Sequence, residues 1–356
     1  MWPRVLAQKL GIEHPIILAP MAGGPGTPDL VAAVSEAGGL GSFGGGYLAP
    51  EAVRTAIRDI RARTSRPFAV NLFIPEPSRR APTEAEVSAA SAALEPIRRE
   101  LGLSGVARPG PPPDFEAQLA IVKEERVPVF SSTFGALPEA EVRALHAIGT
   151  LVLGTATTVE EARALEATGV DGVVAQGAEA GGHRGSFAVP PERGLIGTLA
   201  LVPQIVDAVG VPVVASGGIM DGRGIVAAFA LGAAAVQMGT AFLACAESGA
   251  HALHKREVLA RRADDATRLT RAYSGKLVRG FGNRFMVEVE KAGAILPYPY
   301  QSTLTTEIRQ AAARQGRPEL LSMWAGQGAP LAVAKGAREL VRDLVAQSEK
   351  VAARLR

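Results

Sequence analysis

The chain reads as an α/β protein, a (β/α)8 TIM-type barrel carrying a helical and extended insertion after its eighth strand. Three observations predict that class. Eight short apolar runs that suit buried strands alternate with amphipathic helical stretches. Most of those helices close on an alanine with a glycine one or two residues later. The downstream ends of the runs are polar or glycine-rich, which is where such a barrel builds its site.

The expected strands are Pro15–Met21, Gly39–Phe43, Pro67–Phe73, Val127–Thr133, Thr150–Thr155, Val170–Ala175, Val211–Ser216 and Ala234–Met238. Helices are expected over Asp29–Ala37, Pro50–Arg63, Pro138–Ile148, Val159–Thr168, Thr198–Val209 and Gly222–Leu231, with a longer, partly helical connection from Pro75 to Glu125. Ala37-Gly38-Gly39, Ala147-Ile148-Gly149, Ala167-Thr168-Gly169, Ala208-Val209-Gly210 and Ala230-Leu231-Gly232 each close a helical stretch just before a strand-like run. Glycine at C′ ends a helix by taking positive φ, so this repetition is half of a βαβ unit written five times. Its irregular spacing argues for a parallel sheet with both faces covered, and against a solenoid.

After Thr240 the pattern changes. Ala246–Leu269 reads as helical and charged, Tyr273–Glu290 as extended, and Ile295–Gln301 holds two prolines and two tyrosines. The last helix is expected from about Leu331 to Leu355. The resulting division is a barrel over 1–245, an insertion over the barrel mouth at 246–320, and a C-terminal helix within 321–356 returning to the barrel. No linker separates independent domains.

Composition narrows the function classes. With 47% hydrophobic and 21% charged residues in 356, the chain is that of a globular protein with one large core. A formal charge of +3, scattered along the sequence, gives no support to nucleic-acid or membrane partners. Cys245 is alone, so neither an intrachain disulfide nor a cysteine metal cluster is expected, and the compartment should be reducing. The N-terminal stretch lacks a signal-peptide core and no run approaches a membrane span, which points to a cytoplasmic protein. Metal binding is not expected. His251 and His254, three apart in a polar helix, read as solvent-exposed.

The chemistry is expected at two places. The first is the loop Asp171–Phe187, DGVVAQGAEAGGHRGSF, where an apolar strand runs into Gln176, Gly181 and His183 among bare backbone. Glycine lets main chain approach a flat ligand, and a histidine there can reach a reacting atom. Its neighbours Glu179 and Arg184 read as solvated. The second place is a pair of consecutive strand ends, Ser216-Gly217-Gly218 leading into Asp221-Gly222-Arg223-Gly224, and Gln237-Met238-Gly239-Thr240. In barrels a phosphate sits between the loops after strands seven and eight, on backbone N–H groups and a helix N-terminus.

These residues resemble a family. Pro15–Gly24 with Thr27-Pro28, Val70–Phe73, Ser132–Gly135, Gln176–Gly185, Ala215–Gly224 through Gln237–Thr240, Ser274-Gly275, Asn283-Arg284 and Trp324–Gln327 are similar to the nitronate monooxygenases, formerly 2-nitropropane dioxygenases, and within them to class I. The resemblance implies FMN as cofactor, oxidation of alkyl nitronates including propionate 3-nitronate by dioxygen, a carbonyl compound and nitrite as products, and detoxification as the role. It implies that Asn71, Gln176, Gly181, Gly217, Gly218, Gln237, Met238, Gly239 and Thr240 hold FMN, with the backbone of Met21 near the flavin ring and the phosphate at Gly218, Gly239 and Thr240. His183 matches the active-site histidine, bonding the nitronate or the oxygen-derived anion, or acting as base toward neutral nitroalkanes. The partners implied are a small anionic nitronate and dioxygen, with a homodimer left open. Two rival readings remain at this point. FMN-dependent enoyl-ACP or quinone reductases fed by NAD(P)H look similar around the glycine-histidine loop, and a non-catalytic barrel binding a phosphate ligand comes from another class.

Overall fold

The structure, a computed structural model, describes residues 3–76, 80–260 and 267–355. Parts of the expected connection after Pro75 and of the expected helix Ala246–Leu269 therefore lie outside the described residues. Eight parallel strands form the barrel: β1 (Ile16–Leu18), β2 (Gly41–Gly44), β3 (Phe68–Phe73), β4 (Val129–Thr133), β5 (Leu151–Ala156), β6 (Gly172–Gln176), β8 (Val213–Ser216) and β9 (Ala235–Met238), with the short β7 (Gly182–His183) lying between β6 and β8 in sequence. The order is β1-β9-β8-β6-β5-β4-β3-β2, and the ring closes through a parallel bridge from Ile17 to Leu40, beside β2. All eight expected strands are present, each shorter than or shifted by a few residues from its apolar run.

The interior is layered by the two-residue period of a strand. Ile17, Leu40, Ala69, Val129, Leu153, Val174, Val214 and Ala235 form one inward ring, with each residue on or beside a different strand, and Leu6 and Leu10 of the helix Val5–Leu10 plug it from below. All are at most 3% exposed. Burying aliphatic side chains of this size stabilises by about 1.5–3 kcal/mol each. Two residues further along, the inward positions turn small or polar: Ala19, Ser42, Asn71, Ser131, Thr155, Gln176, Ser216 and Gln237. The intervening residues, such as Leu18, Phe130, Val173 and Ala215, face the helices in the outer core.

Four of the five expected helix-ending glycines, Gly38, Gly149, Gly169 and Gly232, have positive φ; Gly210 does not, because its helix ends earlier, at Val206. The C-terminal helix begins at Ala337, after a 3-10 turn at Ala329–Leu331, and not near Leu331. It packs on the helices Gly222–Ala230 and Pro28–Glu36. Contact at Gly222 is so close that a Cβ there would stand 2.5 Å from the Ser348 amide nitrogen.

The insertion needs two corrections. Within Ala246–Leu269 the helix covers only Ala252–Leu259, and Thr267–Thr270 is a strand, β10. Within Tyr273–Glu290 only β11 (Val278–Phe281) is extended, and Arg284–Ala292 is a helix whose N-cap, Asn283, accepts from the Met286 amide at 3.2 Å. The alternation Val287-Glu288-Val289-Glu290 suggests a strand. Phe285, Met286 and Val289 are the buried positions and Val287 is 53% exposed, which is helical periodicity. β10 and β11 form an antiparallel sheet to which β7 adds, pairing Val278 with His183. Among the described residues no helix is long and apolar enough to cross a membrane.

Candidate active site

All eleven residues singled out from the sequence line one cavity at the C-terminal end of the strands: His183, Met21, Asn71, Gln176, Gly181, Gly217, Gly218, Gln237, Met238, Gly239 and Thr240. The floor is the small and polar ring above the apolar plug, through Ala19, Asn71, Thr155, Gln176, Ser216 and Gln237. Met21, Phe73, Thr133, Gly218 and Gly239, two residues further on, form the walls. Asn71 donates from Nδ2 to Ser131 Oγ at 2.9 Å and Thr133 Oγ1 at 3.2 Å, which leaves its carbonyl oxygen as an acceptor.

His183 is held from several sides. Pairing of β7 with β11 fixes its backbone, and Nε2 lies 2.9 Å from Ser274 Oγ. The ring is packed edge-on among Phe134, Tyr298 and Trp324 at centroid distances of 5.7, 5.9 and 6.0 Å. Burial, together with the nearby charges of Lys276 and Arg309, pushes its pKa down to about 3. At neutral pH it is an uncharged imidazole that can donate or accept one hydrogen bond.

The loop that carries His183 is closed by its own polar side chains. Gln176 donates from Nε2 to the His183 carbonyl at 3.0 Å and accepts from the Gly185 amide at 2.9 Å. Arg184 and Glu179, expected to be solvated, are not. Arg184 is fully buried and its guanidinium donates to the carbonyls of Gly177 (2.6 Å), Gln176 (2.7 Å) and Gly194 (2.8 Å). Glu179 accepts from Thr198 N at 2.9 Å and from Thr198 Oγ1 at 2.8 Å. A short loop full of glycine has too few side chains to bury, so its charged residues turn inward to satisfy backbone carbonyls and amides. Gly181 is needed for a close approach: a Cβ would stand 2.5 Å from the backbone at Ala325 and Gly326. That strap is tied down by Gly326 N donating to Thr240 Oγ1 and Gln327 N to the Glu179 carbonyl, both at 2.9 Å.

The turns after β8 and β9 both open into the cavity. Gly217 and Gly218 take φ of 114° and 73°, consecutive values that a side chain rarely adopts, and both line the cavity. The helix after β8 does not offer its N-terminus as expected. Asp221 caps it, accepting from the Arg223 amide at 2.9 Å, and Gly222 N donates to Gln347 Oε1 at 3.2 Å. An anion between the two turns would therefore rely on Gly217, Gly218, Gly239 and Thr240.

Sequence reasoning missed Tyr47, Phe73, Phe134 and His254 in the lining, and Ser274, Lys276 and Arg309 behind it. Signals existed for Phe73, Phe134 and Ser274, which lie within resembling blocks. Tyr47, Lys276 and Arg309 sit on segments that reach the cavity only through the tertiary fold. His254 is buried, contrary to expectation, with Nε2 2.9 Å from the Trp324 carbonyl, and burial lowers its pKa to about 4; His251 is exposed.

A family model described as nitronate monooxygenase matches residues 4–347. A probable nitronate monooxygenase of Staphylococcus aureus (strain Newman) is 44% identical over 355 residues, spanning 99% of each chain. Among solved structures, a nitroalkane oxidase from Streptomyces ansochromogenes is 41% identical at a TM-score of 0.91, covering 98% of this chain and 100% of that one. FabK from Thermotoga maritima is 32% identical at a TM-score of 0.77, covering 98% and 97%. With the family match running through every strand of the barrel and across the cavity, the chain belongs to the nitronate monooxygenase family of oxidoreductases.

Proposed function

We propose that this protein oxidises alkyl nitronates, propionate 3-nitronate among them, with dioxygen, using bound FMN and releasing a carbonyl compound and nitrite. The observation that supports this most is the convergence of eleven sequence-selected residues on one cavity that has glycine turns on one wall and an uncharged histidine on another. The residues fit FMN. A Cβ on Gly239 would stand 3.3 Å from Ala19 Cβ and one on Gly181 would strike the strap, so bare backbone is what the cavity presents to a flat ligand. The turn amides of Gly217, Gly218, Gly239 and Thr240 suit a phosphate, and the Asn71 carbonyl suits an N–H donor of the ring. Met21, Gln176, Gln237 and Met238 complete the holding set. When bound, FMN supplies the electron-accepting chemistry that makes the nitronate reactive toward dioxygen.

The protein's own part is binding and orientation. His183, neutral at pH 7, donates a hydrogen bond to a nitronate oxygen, or accepts the α-proton when a neutral nitroalkane is offered. Ser274 fixes the ring's direction. The aromatic rings around it exclude water, which strengthens each polar contact with the substrate. The division of labour we infer is an FMN-holding barrel at 1–245, an insertion at 246–320 that braces His183 through β11, and a returning helix within 321–356.

The test is a visible spectrum of FMN-reconstituted protein before and after propionate 3-nitronate in air, with nitrite measured. Nitrite release that depends on bound flavin is expected. Flavin binding without nitrite, coupled to rapid anaerobic bleaching by NADH or NADPH, would replace the reading with a reductase.

A further inference from the structure

We propose that Arg184 is a positioning residue for His183: together with Glu161 it clamps the segment from Gln176 to Ala188 onto the barrel, so that the imidazole keeps one place at the cavity wall. This deepens the proposed function and rests on His183 being the group that meets the substrate.

A histidine among glycines has little around it in sequence to hold it. Gly181, Gly182 and Gly185 bring no side chain that could pack, and Gly182 takes φ of 78°. β7 is the edge of its sheet, pairing Gly182 with Arg279 and His183 with Val278, and the Arg184 amide donates to the Leu277 carbonyl at 2.9 Å. Successive side chains of a strand point to opposite faces, so with His183 turned to the cavity Arg184 turns beneath the loop. There its fully buried guanidinium holds carbonyls from two separate stretches: Gln176 and Gly177 at the end of β6, and Gly194 on the return toward the helix Thr198–Val206. A rotation of β7 that carried the imidazole away would pull the guanidinium off all three.

Glu161 holds the other end. Fully buried on the helix Val159–Ala167, it accepts through Oε1 from the amides of Phe187 at 2.6 Å and Ala188 at 3.1 Å. Through Oε2 it accepts from the Thr157 amide and hydroxyl, both at 2.7 Å, and Ser186 Oγ lies 2.7 Å from Thr157 Oγ1. The residues after His183 are thereby bound to the turn after β5. Gly194 approaches the same turn so closely that a Cβ would stand 2.4 Å from Thr157 Oγ1. Stability alone does not account for Arg184. Burial lowers its pKa to about 10, which leaves it charged at neutral pH, and its buried Nε has no partner. A buried cation with one N–H unsatisfied is a weak source of stability, whereas a planar fork on three fixed carbonyls imposes a single orientation.

The experiment compares FMN-loaded wild type, Arg184→Met, Arg184→Lys and Glu161→Gln, with Asp171→Asn at the far end of the barrel as a control for lost stability. Arg184→Met should lower nitrite-forming kcat on propionate 3-nitronate by about 10- to 100-fold with KM changed less than about threefold, because the reacting group is misplaced while the binding walls remain. Arg184→Lys keeps the charge without the fork, and Glu161→Gln can accept at one end only, so both should lose less; they carry the test if Arg184→Met does not fold. A second readout avoids turnover: NMR of histidine-labelled protein, with the His183 signal assigned by its loss in His183→Asn. The imidazole should stay neutral down to about pH 5 in wild type and Asp171→Asn. It should titrate nearer its ordinary 6.5 in Arg184→Met, and part of the way in the charge-preserving Arg184→Lys, as water reaches a loosened ring. A His183 titration in the Arg184 variants that matches wild type would overturn the proposal, as would equal losses of kcat in Arg184→Met and Asp171→Asn. A shifted titration with no nitrite from wild type would uphold the clamp and overturn the proposed function.

Discussion

The two ends of the barrel interior are made by the same strands and treat a buried charge in opposite ways. At the lower end Asp171 is 7% exposed and fully partnered, by Lys9 Nζ at 2.6 Å, His146 Nε2 at 2.8 Å and the Val152 amide at 2.7 Å. At the upper end Arg309 has no carboxylate among the described residues, and His183 is held neutral beside two cations. Below, an apolar ring and a helix plug exclude solvent; above, four residues along each strand, glycine and polar side chains leave room. The lesson is that complete pairing marks the end that holds the fold together, and incomplete pairing marks the end left open for a ligand.

That contrast can be broken by substitutions at each end. The largest stability effect is expected from Asp171→Asn, which removes the ion pair to the half-exposed Lys9 and weakens the tie to Val152: about 1–2 kcal/mol lost in denaturant unfolding, with kcat/KM per flavin-loaded molecule unaltered. A kinetic defect of comparable size would show that the ends are coupled. His183→Asn should do the reverse, lowering nitrite-forming kcat/KM by about 100-fold with flavin retained and unfolding little changed. Unchanged turnover would remove the histidine from the mechanism.

The pH dependence sharpens the comparison. His183 and His254 have folded pKa values of about 3 and about 4, below the ordinary 6.5, so the unfolded chain takes up protons that the folded one refuses. Stability of the cofactor-free protein should therefore fall as pH drops from 6.5 toward about 5, by up to about 1.4 kcal/mol per pH unit for each histidine. Asp171 contributes in a lower window. Its depressed pKa gives stability that is present above its ordinary 3.8 and lost as pH falls through the folded value. His254→Asn should flatten the upper slope, and an unchanged slope would contradict the burial argument. Gly181→Ala should weaken FMN binding by about tenfold by displacing the strap, as read by flavin fluorescence. The smallest effect is expected from Ser274→Ala: about a fivefold loss in kcat/KM as the imidazole loses one hydrogen bond.

The barrel was legible because period-two apolar runs and helix-ending glycines are local, and local signals survive without a structure. The site floor was legible for the same reason, since Asn71, Gln176, Ser216 and Gln237 each follow an inward apolar residue by two positions. Arg184 was misread because nothing in a glycine-rich sequence tells whether an arginine turns out to water or inward to three carbonyls. Lys276 was missed because it approaches His183 only once β11 pairs with β7, and Arg309 because it stands on a separate helix, Thr306–Arg314, far along the chain from the loop. The helix at Arg284–Ala292 was misread because Val-Glu-Val-Glu imitates a strand, and the Asn283 cap outweighs that pattern.

The most direct measurement of the central claim is anaerobic mixing of FMN-loaded protein with propionate 3-nitronate and, separately, with NADH or NADPH, following the flavin absorbance. The account predicts that the nitronate changes the flavin spectrum, that air then restores it with nitrite released, and that the nicotinamides act far more slowly. A flavin that ignores the nitronate, or a cavity that binds riboflavin as tightly as FMN, would contradict it.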